Sequence, residues 1–185
     1  MPRIFLTFSM LWLLALPAAA QTSFQFQAAG AKMPKGADVD GCRISLFYGR
    51  NESVRGFDLG IASLSDAKSA SGFSMIWGLG RVSGESSGLA SGFVNLHSGV
   101  DRGVNAAFIN SVKTLKSGAN IGFVNVTDDY SSVDISGIGI SKKSGVQLGF
   151  VNITQEIESV QIGILNFAEN GIFPVLPLFN IPKKK

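Results

Sequence analysis

The chain has 185 residues, 45% of them hydrophobic, with a formal net charge of +3, one cysteine and one histidine. A charge this small excludes binding to nucleic acid that is driven by charge alone. One cysteine excludes an internal disulfide, and one histidine gives histidine-dependent catalysis little basis.

The first 20 residues have the pattern of a secretory signal peptide. Arg3 supplies a positive charge, residues 4–16 form an uncharged apolar run, and Ala18-Ala19-Ala20 supplies small residues for cleavage. The apolar run is shorter than the ~20 residues that a membrane-spanning helix needs. The sequence therefore predicts an exported protein whose mature chain begins at Gln21.

A lead-in segment occupies residues 21–41, and a single β-repeat domain is predicted for residues 42–168. The domain repeats a unit best seen in residues 145–152, which read Gly-Val-Gln-Leu-Gly-Phe-Val-Asn. Its copies begin at Gly56, Gly72, Gly88, Gly103, Gly118, Ser132, Gly145 and Ser159, 13 to 16 residues apart. Apolar residues alternate with period two and β-branched residues are common, so each unit predicts extended strand.

Two architectures fit a repeated strand of this kind. In a parallel β-solenoid each unit is one coil of about 13–16 residues, whereas in an antiparallel meander or small β-barrel each unit is one strand. Asparagine closes most units, and parallel stacking would align these residues in a hydrogen-bonded structural ladder of Asn95, Asn110, Asn125, Asn152 and Asn166. This regularity favours the solenoid. The drifting period keeps the antiparallel alternatives open.

The alternation gives each unit an apolar face and a polar face. The apolar face includes Val146, Leu148, Phe150 and Phe123, and we expect it to form the core. The polar face would then point outward as a partner-binding surface. It consists of Asp58, Ser74, Asn105, Asn120, Gln147 and Gln161.

Residues 169–185 form an apolar segment with Pro174, Pro177 and Pro182, followed by a basic tail. Proline cannot donate a hydrogen bond within a central strand. Since repeat proteins need a cover at the ends of their core, this segment is predicted to be a cap.

Residues with the spacing of a catalytic or metal-binding motif are not apparent. His97 lies in a connector, where we expect an exposed side chain. No helix pattern follows the glycines, as a phosphate-binding site would require. The sequence predicts a protein that is not an enzyme, with no catalytic, cofactor-binding or metal-binding residue and no cofactor.

Four stretches together resemble an uncharacterised family of bacterial surface-repeat proteins, first described from leptospiral proteins, with similar exported proteins in Vibrio. They are residues 43–49 (Arg-Ile-Ser-Leu-Phe-Tyr-Gly), residues 56–60 (Gly-Phe-Asp-Leu-Gly), the repeats, and residues 173–180 (Phe-Pro-Val-Leu-Pro-Leu-Phe-Asn). The copies at Gly72 and Ser132 depart from the pattern. The resemblance implies a surface-exposed protein of Gram-negative bacteria, and it carries over no catalytic residue.

These observations predict a non-enzymatic cell-envelope protein with a structural or partner-binding role, located in the periplasm, the outer membrane or at the cell surface. The partner would be an envelope protein or a glycan. The alternative is a small outer-membrane β-barrel protein. Association with a membrane and formation of oligomers stay open, because unpaired end coils can accept another strand.

Overall fold

The computed structural model describes residues 21–36 and 38–184, so the predicted signal peptide lies outside the described residues. The strands are β1 (Gln21–Ala28), β2 (Ala31–Met33), β3 (Asp38–Val82), β4 (Ser86–Ala168) and β5 (Val175–Asn180). β3 and β4 far exceed ordinary strand lengths because each winds through several coils without interruption. In the described part of the chain there is no helix long and apolar enough to cross a membrane.

Successive coils pair in parallel and in register. β3 pairs with β4 so that Gly72 lies beside Gly88 and Val82 lies beside His97. Asn110 likewise lies one coil from Asn125, to which its amide donates a hydrogen bond of 2.9 Å. The predicted parallel β-solenoid is confirmed, and the antiparallel alternatives are wrong.

Each coil has three sides. In the coil that begins at Gly103, the buried side chains are Asn105, Ala107, Asn110, Val112 and Leu115. Alternation breaks at residues 108–109 and 113–114, and again at residues 116–119 where the next coil begins; at each break two or more consecutive residues face away from the interior. The chain turns a corner at each break, because strict alternation keeps a strand straight. The interior is therefore a narrow tube enclosed by three short sides.

Glycine opens most coils because the chain leaves no room for a side chain there. Gly56, Gly72, Gly88, Gly103 and Gly118 have φ between 101° and 146°, a region that L side chains rarely adopt. A Cβ atom on each of the last four would overlap the carbonyl oxygen of the glycine one coil earlier. These glycines form one column along the stack, as the repeated sequence predicts.

Antiparallel strands cover both ends of the stack. β1 pairs in parallel with β3 and in antiparallel with β2. At the other end, β5 pairs in antiparallel with the last coil, where Asn180 lies beside Gln161 and Val175 beside Phe167. Pro177 within β5 has no backbone N–H, so this edge is poorly suited to accept a further strand. The segment predicted as a cap thus lies over the final coil.

Candidate functional site

The polar column that we expected on the surface lies inside the tube. Asp58, Asn105, Asn120, Gln147 and Gln161 are all at most 5% exposed. Ser74 is half-buried. The prediction that these residues face a partner is wrong, because their side chains point into the tube, where most of them stack on polar side chains of neighbouring coils.

Hydrogen bonds between coils make this polar interior stable. The Asn105 side-chain amide donates to Asn120 Oδ1 at 2.9 Å, and the Gln161 side-chain amide donates to Gln147 Oε1 at 2.7 Å. An amide has a donor on one side and an acceptor on the other, so equal amides stacked at the strand spacing satisfy one another. Buried polar groups that are paired in this way avoid the cost of lost hydration.

The closing asparagines form a second column. Asn95 donates to Asn110 at 3.1 Å, and Asn152 donates to Asn166 at 2.8 Å. The column is interrupted in the coil that begins at Ser132, where no asparagine follows Asn125, and the Asn125 amide donates to the backbone carbonyl oxygens of Asn120 at 3.0 Å and Ile135 at 3.3 Å. The predicted structural ladder is confirmed on both sides of this interruption.

A buried ion pair stabilises the first coils. Arg43 is fully buried, and its Nε donates to Asp58 Oδ1 at 2.7 Å while its Nη2 contacts Asp58 Oδ2. Nη1 donates to Asn51 at 3.1 Å, and Nη2 also reaches Ser65. A bidentate pair with further hydrogen bonds is the arrangement in which a buried charge is tolerated. Its role is structural.

His97 lies in the interior and not on an exposed connector, so that expectation is wrong. Its Nδ1 is 2.5 Å from Asp101 Oδ2, and Asn105 donates to the same oxygen at 2.8 Å. His97 and Asp101 are both under 5% exposed. The connectors also wind inward, which places His97 and Asp101 in the tube.

Asp134 is the least satisfied group of the interior. It follows Asn120 and precedes Gln147 in the polar column, and it is fully buried. Neither carboxyl oxygen accepts a well-formed hydrogen bond from the described residues, although Ser131, Asn120 and Asn125 lie near enough to favour the ionised form. Burial dominates and raises the pKa of Asp134 from 3.8 to about 6.

The face that we expected to form the core is exposed. The sixth residue of seven of the eight coils contributes a large apolar side chain to an outward column, here called the ridge, which consists of Ile61, Trp77, Phe93, Phe108, Phe123, Phe150 and Ile164. Gly137 takes this position in the coil that begins at Ser132. Trp77 is 69% exposed and Phe123 is 51% exposed. The Phe108 ring stacks on the Phe93 and Phe123 rings, with centroids 5.5 and 5.2 Å apart. The assignment of Phe123 to the core is wrong.

Apolar side chains continue on both sides of the ridge. The first wall precedes the ridge in each coil, and its exposed residues include Phe57, Ile121, Ile135 and Ile162. The second wall follows the ridge, and its exposed residues include Leu64, Ile138, Ile140, Ile153 and Leu165. The two walls meet at the corner formed by the ridge.

The third side, here called the charged wall, carries the outward charges of the coils. Lys143 lies 3.2 Å from Glu156 and 3.1 Å from Glu158, and hydrogen bonds to these carboxylates raise the pKa of Lys143. Arg102 lies 3.5 Å from Glu85. From Gly56 to Ala168, where every residue is described, the outward charges on the first two walls are Asp66 and Arg81, in neighbouring coils near the first end of the stack. The surface is therefore strongly divided into apolar and charged sides.

Two classes of group were missed by the sequence analysis: the buried charges and the exposed apolar walls. Among the described residues, no group of three His, Cys, Asp or Glu side chains could hold a metal ion. Comparison with protein-family models, curated proteins and solved structures found no match.

Proposed function

We propose that this protein is a non-enzymatic, exported component of the cell envelope that acts by association through its two apolar walls. The observation that supports the proposal is the continuous apolar surface on both sides of the ridge. Eight units stacked at the ~4.8 Å spacing of paired strands span seven spacings, which gives a ridge about 34 Å long. Each wall is about five residues across, which is about 16 Å at ~3.3 Å per residue, so the two walls together exceed the few hundred Å² usual on a monomeric surface.

The interior supports a structural role for the polar residues. The Arg43 guanidinium and the His97 ring both contact neighbouring buried carboxylates. Groups that are engaged in this way hold successive coils together. The contact surface that the sequence analysis assigned to the polar column is therefore reassigned to the ridge and its walls.

The proposal is tested by fractionating cells that express the full chain. We expect the chain in the envelope fraction, with an N-terminus at Gln21 if the signal peptide is removed. The ridge variant replaces Phe93, Phe108 and Phe123 together with Gln, and it should move to the soluble fraction. Recovery of the unaltered full chain in the soluble fraction would refute the proposal.

A matched control changes three exposed residues of the charged wall. Lys113→Gln, Lys116→Gln and Asp128→Asn remove charge without touching the ridge. This control should remain with the envelope. Equal release of both variants from the envelope fraction would mean that release follows from general destabilisation of the fold. Circular dichroism of each variant checks its folding independently.

A further inference from the structure

We infer that the ridge and its two walls lie in the surface of a lipid bilayer, with the charged wall in water. This inference rests on the proposed function and names the partner of the same surface. It depends on three observations: the shape of the apolar surface, its lack of hydrogen-bonding groups, and the charge balance of the opposite side.

The shape favours a fluid partner. The two walls adjoin at the corner where Phe108 and Ile109 both point away from the interior. A second copy or a rigid globular partner that packs on one wall leaves the other wall in water. Acyl chains adapt to a convex ridge and cover both walls at once. Amphipathic elements that bind membranes bury their apolar side ~5–10 Å into the headgroup and acyl boundary.

The chemistry of the walls also favours lipid over a specific protein. Protein interfaces contain about one hydrogen bond per 100–200 Å². On the two walls and the ridge between Gly56 and Ala168, the outward polar side chains are Asp66, Arg81, Ser91 and Ser111, and the two charged ones lie in neighbouring coils near the first end of the stack. Inner coils pair their backbone groups with coils on either side, as contact with hydrocarbon requires. The walls therefore offer few hydrogen-bonding groups to a polar partner.

The charge distribution indicates the kind of lipid surface. Residues 42–168 contain equal numbers of basic and acidic residues. On the charged wall, Lys68 pairs with Glu52 and Lys143 pairs with Glu156 and Glu158. A balanced and paired wall gives no net attraction to anionic headgroups. Binding is driven by apolar burial, so it needs no anionic lipid and resists salt.

The test is sedimentation of the full chain with zwitterionic phosphatidylcholine vesicles in 0.1 M and ~1 M NaCl, a range over which screening of surface charges changes strongly. We expect the full chain to sediment with vesicles equally at both salt concentrations. The ridge variant should partition on the order of 100-fold less, since three half-exposed phenylalanines lose their burial in lipid. The charged-wall control should sediment like the unaltered chain.

Fluorescence locates the contact. The sequence contains Trp12 and Trp77, so a Trp12→Phe chain leaves Trp77 on the ridge as the single reporter. Its emission should shift to shorter wavelength on vesicle binding, and lipids brominated on their acyl chains should quench it. Emission that is unchanged in chains that sediment with vesicles would place the contact elsewhere and overturn the inference.

Other outcomes also decide between occupants. A full chain that stays in the supernatant with vesicles but fractionates with cell envelopes overturns the lipid inference and leaves the proposed function standing. A full chain that forms an oligomer without lipid, and that the ridge variant converts to a monomer, identifies a second copy as the occupant. Vesicle binding that disappears in ~1 M salt would show that charge drives it, and would equally overturn the inference.

Discussion

Asp134 offers the sharpest test of the polar interior. Asparagine has the shape of aspartate and already fills the same column at Asn105 and Asn120. The substitution Asp134→Asn removes the buried carboxyl group and adds an amide donor. We expect it to stabilise the protein at neutral pH and to change little in acid.

The magnitude follows from the pKa of Asp134, which burial raises from 3.8 to about 6. The folded protein holds this proton more tightly than the unfolded chain, so its stability falls as the pH rises from about 4 to about 6. Each pH unit of displacement corresponds to about 1.4 kcal/mol. The ionised carboxylate therefore costs up to ~3 kcal/mol above pH 7, and the asparagine variant avoids that cost.

Urea denaturation of both chains at pH 4 and pH 8 measures the difference. The free energy of unfolding should differ by up to ~3 kcal/mol at pH 8 and by under ~1 kcal/mol at pH 4. Asp128→Asn on the charged wall is the matched control, and it should change the free energy of unfolding at pH 8 by less than Asp134→Asn does, because the Asp128 side chain is exposed. An equal effect of Asp134→Asn at both pH values would mean that its carboxyl group is not raised in pKa, and the reasoning would fail.

Three further substitutions probe the rest of the architecture through denaturation in urea. Phe123→Ala should lower the free energy of unfolding by only about 1 kcal/mol, because the ring is half-exposed and the substitution removes mainly its stacking on Phe108. A loss above ~3 kcal/mol would mean that this ring is buried in the core. Asn125→Ala should cost about 3 kcal/mol, since Asn110 loses its acceptor and two backbone carbonyls lose a donor; a neutral effect would contradict the structural ladder. Gly118→Ala should cost at least ~2 kcal/mol, because φ is 112° and the added Cβ would overlap the carbonyl oxygen one coil earlier; a stable alanine variant would be incompatible with that column.

The parallel stack was predictable because the repeated unit is asymmetric. Glycine opens the unit and asparagine closes it, and antiparallel pairing would separate Asn110 and Asn125 to opposite ends of neighbouring strands. Only parallel stacking places the glycines of successive units side by side and the asparagines of successive units side by side. The hydrogen bond between these two asparagines is the direct consequence.

The direction in which each face points could not be predicted from alternation alone. Period two shows that two faces differ, but it does not state which one is enclosed. We assumed that the apolar face is buried, as in most globular proteins. A better signal was present in the unit itself, where Asn120 and Gly122 share one face and Ile121 and Phe123 share the other. A Cβ at Gly122 would overlap the Ala107 carbonyl oxygen, so the face that carries Gly122 and Asn120 is the crowded, enclosed one.

The buried charges could not be predicted because they depend on contacts across coils. Arg43 and Asp58 are 15 residues apart, and nothing in the local sequence of either residue indicates the other. His97 and Asp101 are close in sequence but lie in a connector that looked solvent-exposed. Their pairing requires the chain to turn inward after the second side of the coil, which a polar connector does not predict.

The polar interior has a thermodynamic consequence for the folded state. The heat capacity change of unfolding rises with newly exposed apolar surface and falls with newly exposed polar surface. Here the amide columns become exposed on unfolding, whereas the ridge and its walls are already exposed in the folded chain. The heat capacity change should therefore be small for a chain of this length. The stability of the lipid-free protein then varies only weakly with temperature, and cold weakens it less than it weakens proteins with an aliphatic core.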